Sequence, residues 1–176
     1  MKAFKILSFF FLLLAIIIIV GSFFLPSTFK FSYTGKVNAA PDKVFLQINE
    51  LKNWQNWSYW NRMDTAMQIT YSTPSAGKNA YYIWTSKNKD VGSGKLTIVN
   101  SVLDSIVDTH LEFDEWGGGE ATYILKPTNT GTELTLTFQS EMKGVFYKWI
   151  GLLVMRSQMK TAYTSCVEEL DKFLNQ

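Results

Sequence analysis

The stretch Phe146–Leu174, FYKWIGLLVMRSQMKTAYTSCVEELDKFL, decides the fold. Leu152, Met155, Met159, Ala162, Cys166, Leu170 and Phe173 recur three or four residues apart, which on a helix makes one continuous apolar stripe. Lys148, Arg156, Lys160, Glu168 and Lys172 fall off the stripe and stay in water. The spacing predicts one long amphipathic helix, with Gly151 as a place for it to bend near its start. A stripe of that length needs a broad apolar surface to lie on.

The residues before it supply that surface as strands. Between Phe29 and Ala39 the pattern has period two: Phe29, Phe31, Tyr33, Val37 and Ala39 on one face, with Lys30, Ser32, Thr34, Lys36 and Asn38 on the other. Ala40-Pro41-Asp42 then opens a helix, since proline suits a first helical turn and an acid suits its positive end. Val44, Phe45, Ile48 and Leu51 give it an inward face. Asn53-Trp54-Gln55-Asn56-Trp57-Ser58-Tyr59-Trp60 reads as a short helix or an ordered loop.

Alternating runs follow. Met67, Ile69 and Tyr71 begin them. In Ala80–Thr85, Tyr82 and Trp84 face one way and Tyr81 and Ile83 the other; two apolar faces predict a central strand covered on both sides. Leu96 and Ile98 lead the next run, and Val107, Thr109, Leu111 and Phe113 oppose Ile106, Asp108, His110 and Glu112. Ala121, Tyr123 and Leu125, then Leu134, Leu136 and Phe138, complete the series. Thr73–Gly77, Asp90–Gly94, Gly117–Gly119 and Asn129–Thr132 read as turns, and none of these glycine clusters leads into a helix as a phosphate loop must. Strand, helix, about six short strands and a long helix predict an α+β domain whose antiparallel sheet carries helices on one face.

Ahead of this domain, Ile6–Leu25 is apolar apart from Ser8, Gly21 and Ser22 and carries no charge. Twenty helical residues span roughly 30 Å, the thickness of a bilayer's hydrocarbon. The run is longer than a usual signal-peptide core, and bulky Phe23, Phe24 and Leu25 follow its small residues. The expected division is a basic N-terminus at 1–5, a transmembrane anchor at 6–25, a linker at 26–28 and the domain at 29–176, the alternative being a signal sequence cut after Ser22. Lys2 and Lys5 favour an N-inside topology with the domain extracytoplasmic.

The net charge of +2 comes from those two lysines, so the rest of the chain is neutral and lacks the basic surplus of a nucleic-acid binder. One cysteine, Cys166, and one histidine, His110, make neither a disulfide nor a usual zinc ligand set, and no cofactor motif is present. Cys166 lies on the helix stripe, where it reads as a small hydrophobe; His110 lies between Asp108 and Glu112 on a polar strand face. Six Trp, eight Tyr and thirteen Phe predict a dense core or an aromatic-walled cavity.

Several motifs resemble one family in order and spacing. They are Ala39-Ala40-Pro41-Asp42-Lys43-Val44-Phe45, Trp54–Trp60 with Asp64, Tyr82-Ile83-Trp84, Asn88 with Val91–Ile98, and Gly131-Thr132-Glu133-Leu134-Thr135. Over about Lys36–Lys172 the chain resembles the SRPBCC or START-like superfamily, in its polyketide cyclase/dehydrase and lipid transport branch. The resemblance implies a helix-grip fold, in which about seven antiparallel strands wrap a long C-terminal helix around a cavity that in relatives commonly takes lipids, sterols or polyketides. It fixes no reaction.

Strand parity and the helix stripe then nominate Tyr82, Trp84, Phe113, Tyr123, Phe138, Met155 and Met159 as cavity residues. The cluster Trp54, Trp57, Tyr59 and Trp60 reads first as core packing beneath the first helix; Trp57 and Trp60 are the candidates for a cavity rim, and contact with lipid headgroups is the third reading. Asp64, Tyr82 and Tyr123 are the side chains within reach of acid–base work, but none has an evident partner, so no catalytic residue is assigned; Asp64 also suits a turn cap. Three functions follow. A membrane-tethered module that binds a small hydrophobic ligand comes first. A cyclase or dehydratase on an aromatic or polyketide-like substrate, and a ligand-free interaction or stress-response module, are the alternatives.

Overall fold

A computed structural model describes residues 2–114 and 117–176. In chain order the elements are α1 (Lys2–Ser22), β1 (Thr28–Val37), α2 (Pro41–Asn49), a 3-10 stretch (Leu51–Asn56), α3 (Tyr59–Met63), β2 (Gln68–Tyr71), β3 (Tyr81–Thr85), β4 (Gly94–Val102), β5 (Ile106–Phe113), β6 (Gly117–Thr128), β7 (Gly131–Glu141), α4 (Val145–Ile150), a π-helical stretch (Gly151–Met155) and α5 (Arg156–Leu174). The strands form one antiparallel sheet in the order β1-β7-β6-β5-β4-β3-β2, curved around the C-terminal helix in the helix-grip arrangement.

Period-two alternation makes the concave face. Phe29, Val37, Leu96, Ile98, Val107, Leu125, Leu134 and Leu136 are buried there. A register shift between Ile98 and Asn100 on β4 adds a bulge, which increases local twist and helps the sheet curl. The C-terminal half of α5 fills part of the concavity with Ala162, Tyr163, Cys166, Val167 and Leu170. Gly35 on β1 permits this seating: a Cβ there would lie 2.8 Å from Val167 Cγ1. The Asn38 backbone N–H and side-chain amide both donate to the Asp171 carboxylate and tie the end of β1 to the end of α5.

The Asn/Trp-rich motif has a backbone function. The last four carbonyls of a helix lack intrahelical donors. At the end of α2, Leu46 O accepts from Glu50 N (3.3 Å) and Asn53 Nδ2 (3.2 Å), Gln47 O from Trp57 Nε1 (3.2 Å), Ile48 O from Trp54 Nε1 (2.8 Å) and Asn49 O from Gly77 N (3.2 Å). Asn53, Trp54 and Trp57 therefore terminate α2, while the two indole rings enter the core.

Three expectations are corrected. The C-terminal helix runs without a break from Val145 to Leu174 but its stripe is not regular: the wider π-helical turns at Gly151–Met155 shift its phase, and Leu152 is exposed rather than inward. Gly117–Gly119 is not a turn but the start of β6, paired with Leu111–Phe113; a Cβ on Gly119 would lie 2.6 Å from the Phe138 ring, so clearance accounts for that glycine. β3 is next to the sheet edge rather than central. Among the described residues no second layer covers its outer face: Ile83 is exposed, and Tyr81 is half-buried with the Lys95 ammonium 4.6 Å from its ring centroid.

Gly35→Val is expected to lower stability by about 1–3 kcal/mol through displacement of α5, read as a shift in the urea midpoint at constant m. A midpoint equal to that of the wild type would mean that α5 does not sit against β1 at this point.

Candidate ligand cavity

The sheet is longer than the part of the helix that packs on it. From Ala162 onward the inward side chains of α5 are buried, but Met155 and Met159 are only half-buried and Leu152–Val154 are exposed. Between the N-terminal half of α5 and the strands lies an open-ended space of about 1480 Å³.

Its sheet wall carries Tyr82 and Trp84 from β3, Phe113 from β5, Tyr123 from β6 and Phe138 from β7. Met155, Met159, Ala162 and Tyr163 form the helix wall. Tyr59, Trp60 and Met63 of α3, with Met67, close one end, and Lys143, Phe146, Tyr147 and Ile150 stand at another part of the border. The rings touch in series: Trp54–Tyr82 at 6.1 Å between centroids, Tyr82–Trp84 at 5.7 Å and Trp84–Phe113 at 5.6 Å, tilted or edge-to-face as their quadrupoles prefer.

Every residue nominated for the cavity thus borders one space. Of the two nominated for the rim, Trp60 borders it, 6.3 Å from the Tyr163 ring. Trp57 is 1% exposed behind Trp54, at 5.0 Å, away from the lining. Sequence reasoning did not single out Tyr163. Its spacing of four from Met159 and three from Cys166 is the helical signal that places it on the same face. Met67 opens the alternating run with Ile69 and Tyr71; Met63 and the α4 residues carry no such signal, because their positions depend on how short helices fold back.

Polar groups on the inner walls are few and neutral. Burial raises the pKa of Tyr82, Tyr123 and Tyr163 above the ordinary phenol value, with neighbouring Tyr and Cys groups adding to the effect. Burial likewise pushes the Cys166 thiol up to about 12, against the opposing pull of the Tyr59 N–H bonded to its sulfur (3.3 Å) and of Arg62. The Tyr163 hydroxyl donates to Thr137 O at 3.2 Å. The hydroxyls of Tyr82 and Tyr123 make no hydrogen bond among the described residues. Asp64 serves a turn: its carboxylate accepts from Ala66 N (3.0 Å) and from Ser86 Oγ (2.5 Å). His110 is half-buried on β5, with Nε2 3.9 Å from where a Gly118 Cβ would stand, and it borders the cavity. Among the described residues no group of three His, Cys, Asp or Glu side chains is placed to hold a metal.

The raised pKa values link to stability. The native chain keeps these phenols and the thiol protonated where the unfolded chain would ionise them. Their contribution is therefore complete below the ordinary values of 9.0 for the thiol and 10.0 for the phenols, and declines as pH rises beyond them. The urea midpoint is expected to fall progressively above pH 9–10, and Tyr123→Phe to flatten that fall. A midpoint constant to pH 11 would contradict the burial of these groups.

No curated protein matches the chain by sequence. Solved structures match it in fold. A Staphylococcus aureus protein of unknown function superposes with a TM-score of 0.66 at 10% identity, covering 84% of this chain and 94% of its own. A Rhodobacter sphaeroides protein gives 0.59 at 15% identity, covering 83% and 92%. CalU16 from Micromonospora echinospora gives 0.55 at 11% identity, covering 82% and 73%. Residues 28–174, from the first strand to the last helix, match a family described as polyketide cyclase / dehydrase and lipid transport. With its sheet, gripped helix and matching span, the chain belongs to the polyketide cyclase / dehydrase and lipid transport family.

Proposed function

We propose that this chain is a membrane-tethered module that binds a small hydrophobic molecule, a lipid or a polyketide-like compound, between its sheet and its last helix. The observation that carries the reading is an open-ended space of about 1480 Å³ whose inner walls are aromatic rings and methionines and whose border carries polar and charged residues such as Lys30, Asp90, Glu120 and Lys143. Ligand sites of this kind are concave and mostly apolar, with a few polar groups that fix orientation. Met155 and Met159 are unbranched and adaptable, which suits a ligand of variable outline. The free hydroxyls of Tyr82 and Tyr123 supply neutral donors for one or two acceptor oxygens on an otherwise apolar body. Family membership supports the same class of ligand.

Cyclase or dehydratase chemistry has less support. It needs a positioned acid or base. The inner walls offer phenols held in their protonated form, with no carboxylate or imidazole hydrogen-bonded to them. Asp90, Glu120 and Glu141 border the space but are exposed.

The tether is the N-terminal helix. Phe4–Ser22 is long and apolar enough to cross a membrane; Phe4–Val20 is exposed, and the end of the helix meets the domain. The N-inside orientation read from Lys2 and Lys5 places the domain outside the cytoplasm. Protease added outside intact cells should then cleave the domain, and full protection would reverse the orientation.

Native mass spectrometry of the full chain, released gently from membranes, is expected to find a co-purifying apolar molecule that solvent extraction removes. Protein that is empty after gentle release, and that takes up no lipid from phosphatidylcholine vesicles, would end the ligand reading. Given a bound molecule, Tyr82→Phe and Tyr123→Phe should each weaken its retention by about 2- to 12-fold, the worth of one hydrogen bond, with little change in fold.

A further inference from the structure

The helix that spans the membrane is not simply a leash. β1 pairs with β7, so the start of the domain lies beside the end of the sheet, with Met142 N donating to Ser27 O at 2.7 Å. This pairing brings the end of α1 against α4. Trp149 Nε1 donates to Ile18 O at 3.1 Å, and Lys148 Nζ donates to Ser22 O at 3.2 Å, placing a cation at the negative end of α1. The fit is close: a Cβ on Gly21 would lie 2.9 Å from the Trp149 ring.

This contact sets a depth. Ile18 lies four residues before the end of α1, about 6 Å along the helix axis. If Phe4–Ser22 occupies the hydrocarbon, Trp149 reaches below its surface, and α4 must lie at the boundary between headgroups and acyl chains. The conclusion is independent of which side of the membrane the domain occupies, because α4 meets only the C-terminal end of α1.

The chemistry of the segment agrees. Phe146 is 71% exposed and Leu153 70%, with Tyr147, Leu152 and Val154 exposed beside them; Phe24, just past α1, is 85% exposed. In water this would be an unfavourable apolar surface. At a bilayer it is a usual one: apolar side chains enter the acyl region, Trp and Tyr sit at headgroup level, and Lys143 and Lys148 can reach phosphates.

We infer that Val145–Val154 is a second membrane contact of this protein, whose partner is the lipid surface around α1. Phe146, Tyr147 and Ile150 also border the cavity, so the contact turns that border toward lipid rather than water. An apolar ligand can then pass between bilayer and cavity without crossing water. Only this last step rests on the ligand reading above; the membrane contact does not.

The test uses the full chain reconstituted into phosphatidylcholine vesicles, with an environment-sensitive fluorophore on a single introduced cysteine and brominated acyl chains as quencher. Leu153→Cys and Phe146→Cys are the probes, Phe24→Cys the membrane reference, and Leu103→Cys, on the 74% exposed β4–β5 turn, the water reference. The native Cys166 is buried and its thiol is held protonated, so unmodified chain serves as the labelling blank. Positions 153 and 146 are expected to be quenched at least about threefold more than 103 and comparably to 24, as for groups a few ångströms into the interface. Quenching no greater than at 103 would overturn the inference. So would blue-shifted emission without lipid quenching, because that pattern means a second copy or another protein covers the segment. Neither result requires a ligand in the cavity, so the inference can fail while the ligand reading stands.

Discussion

One helix has to fill the hollow of a seven-stranded curved sheet, and it fills only part of it. The sheet is long because β6 and β7 run for 12 and 11 residues. The helix meets it closely only from Ala162 onward, where Gly35 lets Val167 approach β1 and Asp171 is held by Asn38. Before that point the π-helical stretch and α4 lead the chain away toward α1. The cavity is the volume that this divergence leaves uncovered, and its position at one end of the grip follows from where the helix is anchored at the other.

The rest of the core supports the same division. α2 and the tryptophan motif close the packed end, with the indole N–H groups of Trp54 and Trp57 satisfying carbonyls that would otherwise be buried without partners. α3 is held to α5 by Arg62, which bonds Ser165 Oγ at 2.6 Å and pairs with Glu169 at 3.0 Å. With that end fixed, the aromatic residues beyond it pack tilted or edge-to-face along the sheet and border the space. The same burial that makes the walls apolar keeps their phenols neutral, so the site favours weak, directional hydrogen bonds over charge.

The junction of α1 with α4 joins the two halves of the molecule. Pairing of the first strand with the last sets the anchor, the cavity border and the exposed apolar segment side by side. A tether that ended elsewhere on the sheet would hold the domain at the membrane without presenting this border to it. The small residues at the end of α1, Gly21 and Ser22, permit the contact, since a bulky side chain at Gly21 would hold Trp149 away from the helix backbone.

Much of the fold was legible because period-two and helical periodicity are local. Phe29–Val37, Leu96–Ile98, Tyr123–Leu125 and Leu134–Phe138 state which face each strand buries, and Met159–Leu170 states which face the helix buries. These parities also carried Tyr82, Trp84, Phe113, Tyr123 and Phe138 to one wall. The errors arose where a local pattern had more than one physical cause. Apolar residues on both faces of β3 resembled double coverage, whereas one face is outward and partly screened by Lys95. Three successive glycines resembled a turn, whereas Gly119 makes room for Phe138 across the sheet.

By itself the sequence determined the order of the elements, the inward face of each strand, the apolar span and the near-neutral charge of the domain, because these depend on residues close together in the chain. Only the tertiary structure decided that the inward faces leave a space, that Trp57 lies behind Trp54 instead of beside that space, and that α4 meets the end of α1. Those outcomes depend on how far a helix can follow a curved sheet and on which strand closes its edge, and both are set by contacts between residues more than a hundred positions apart, such as Ile18 with Trp149 and Asn38 with Asp171.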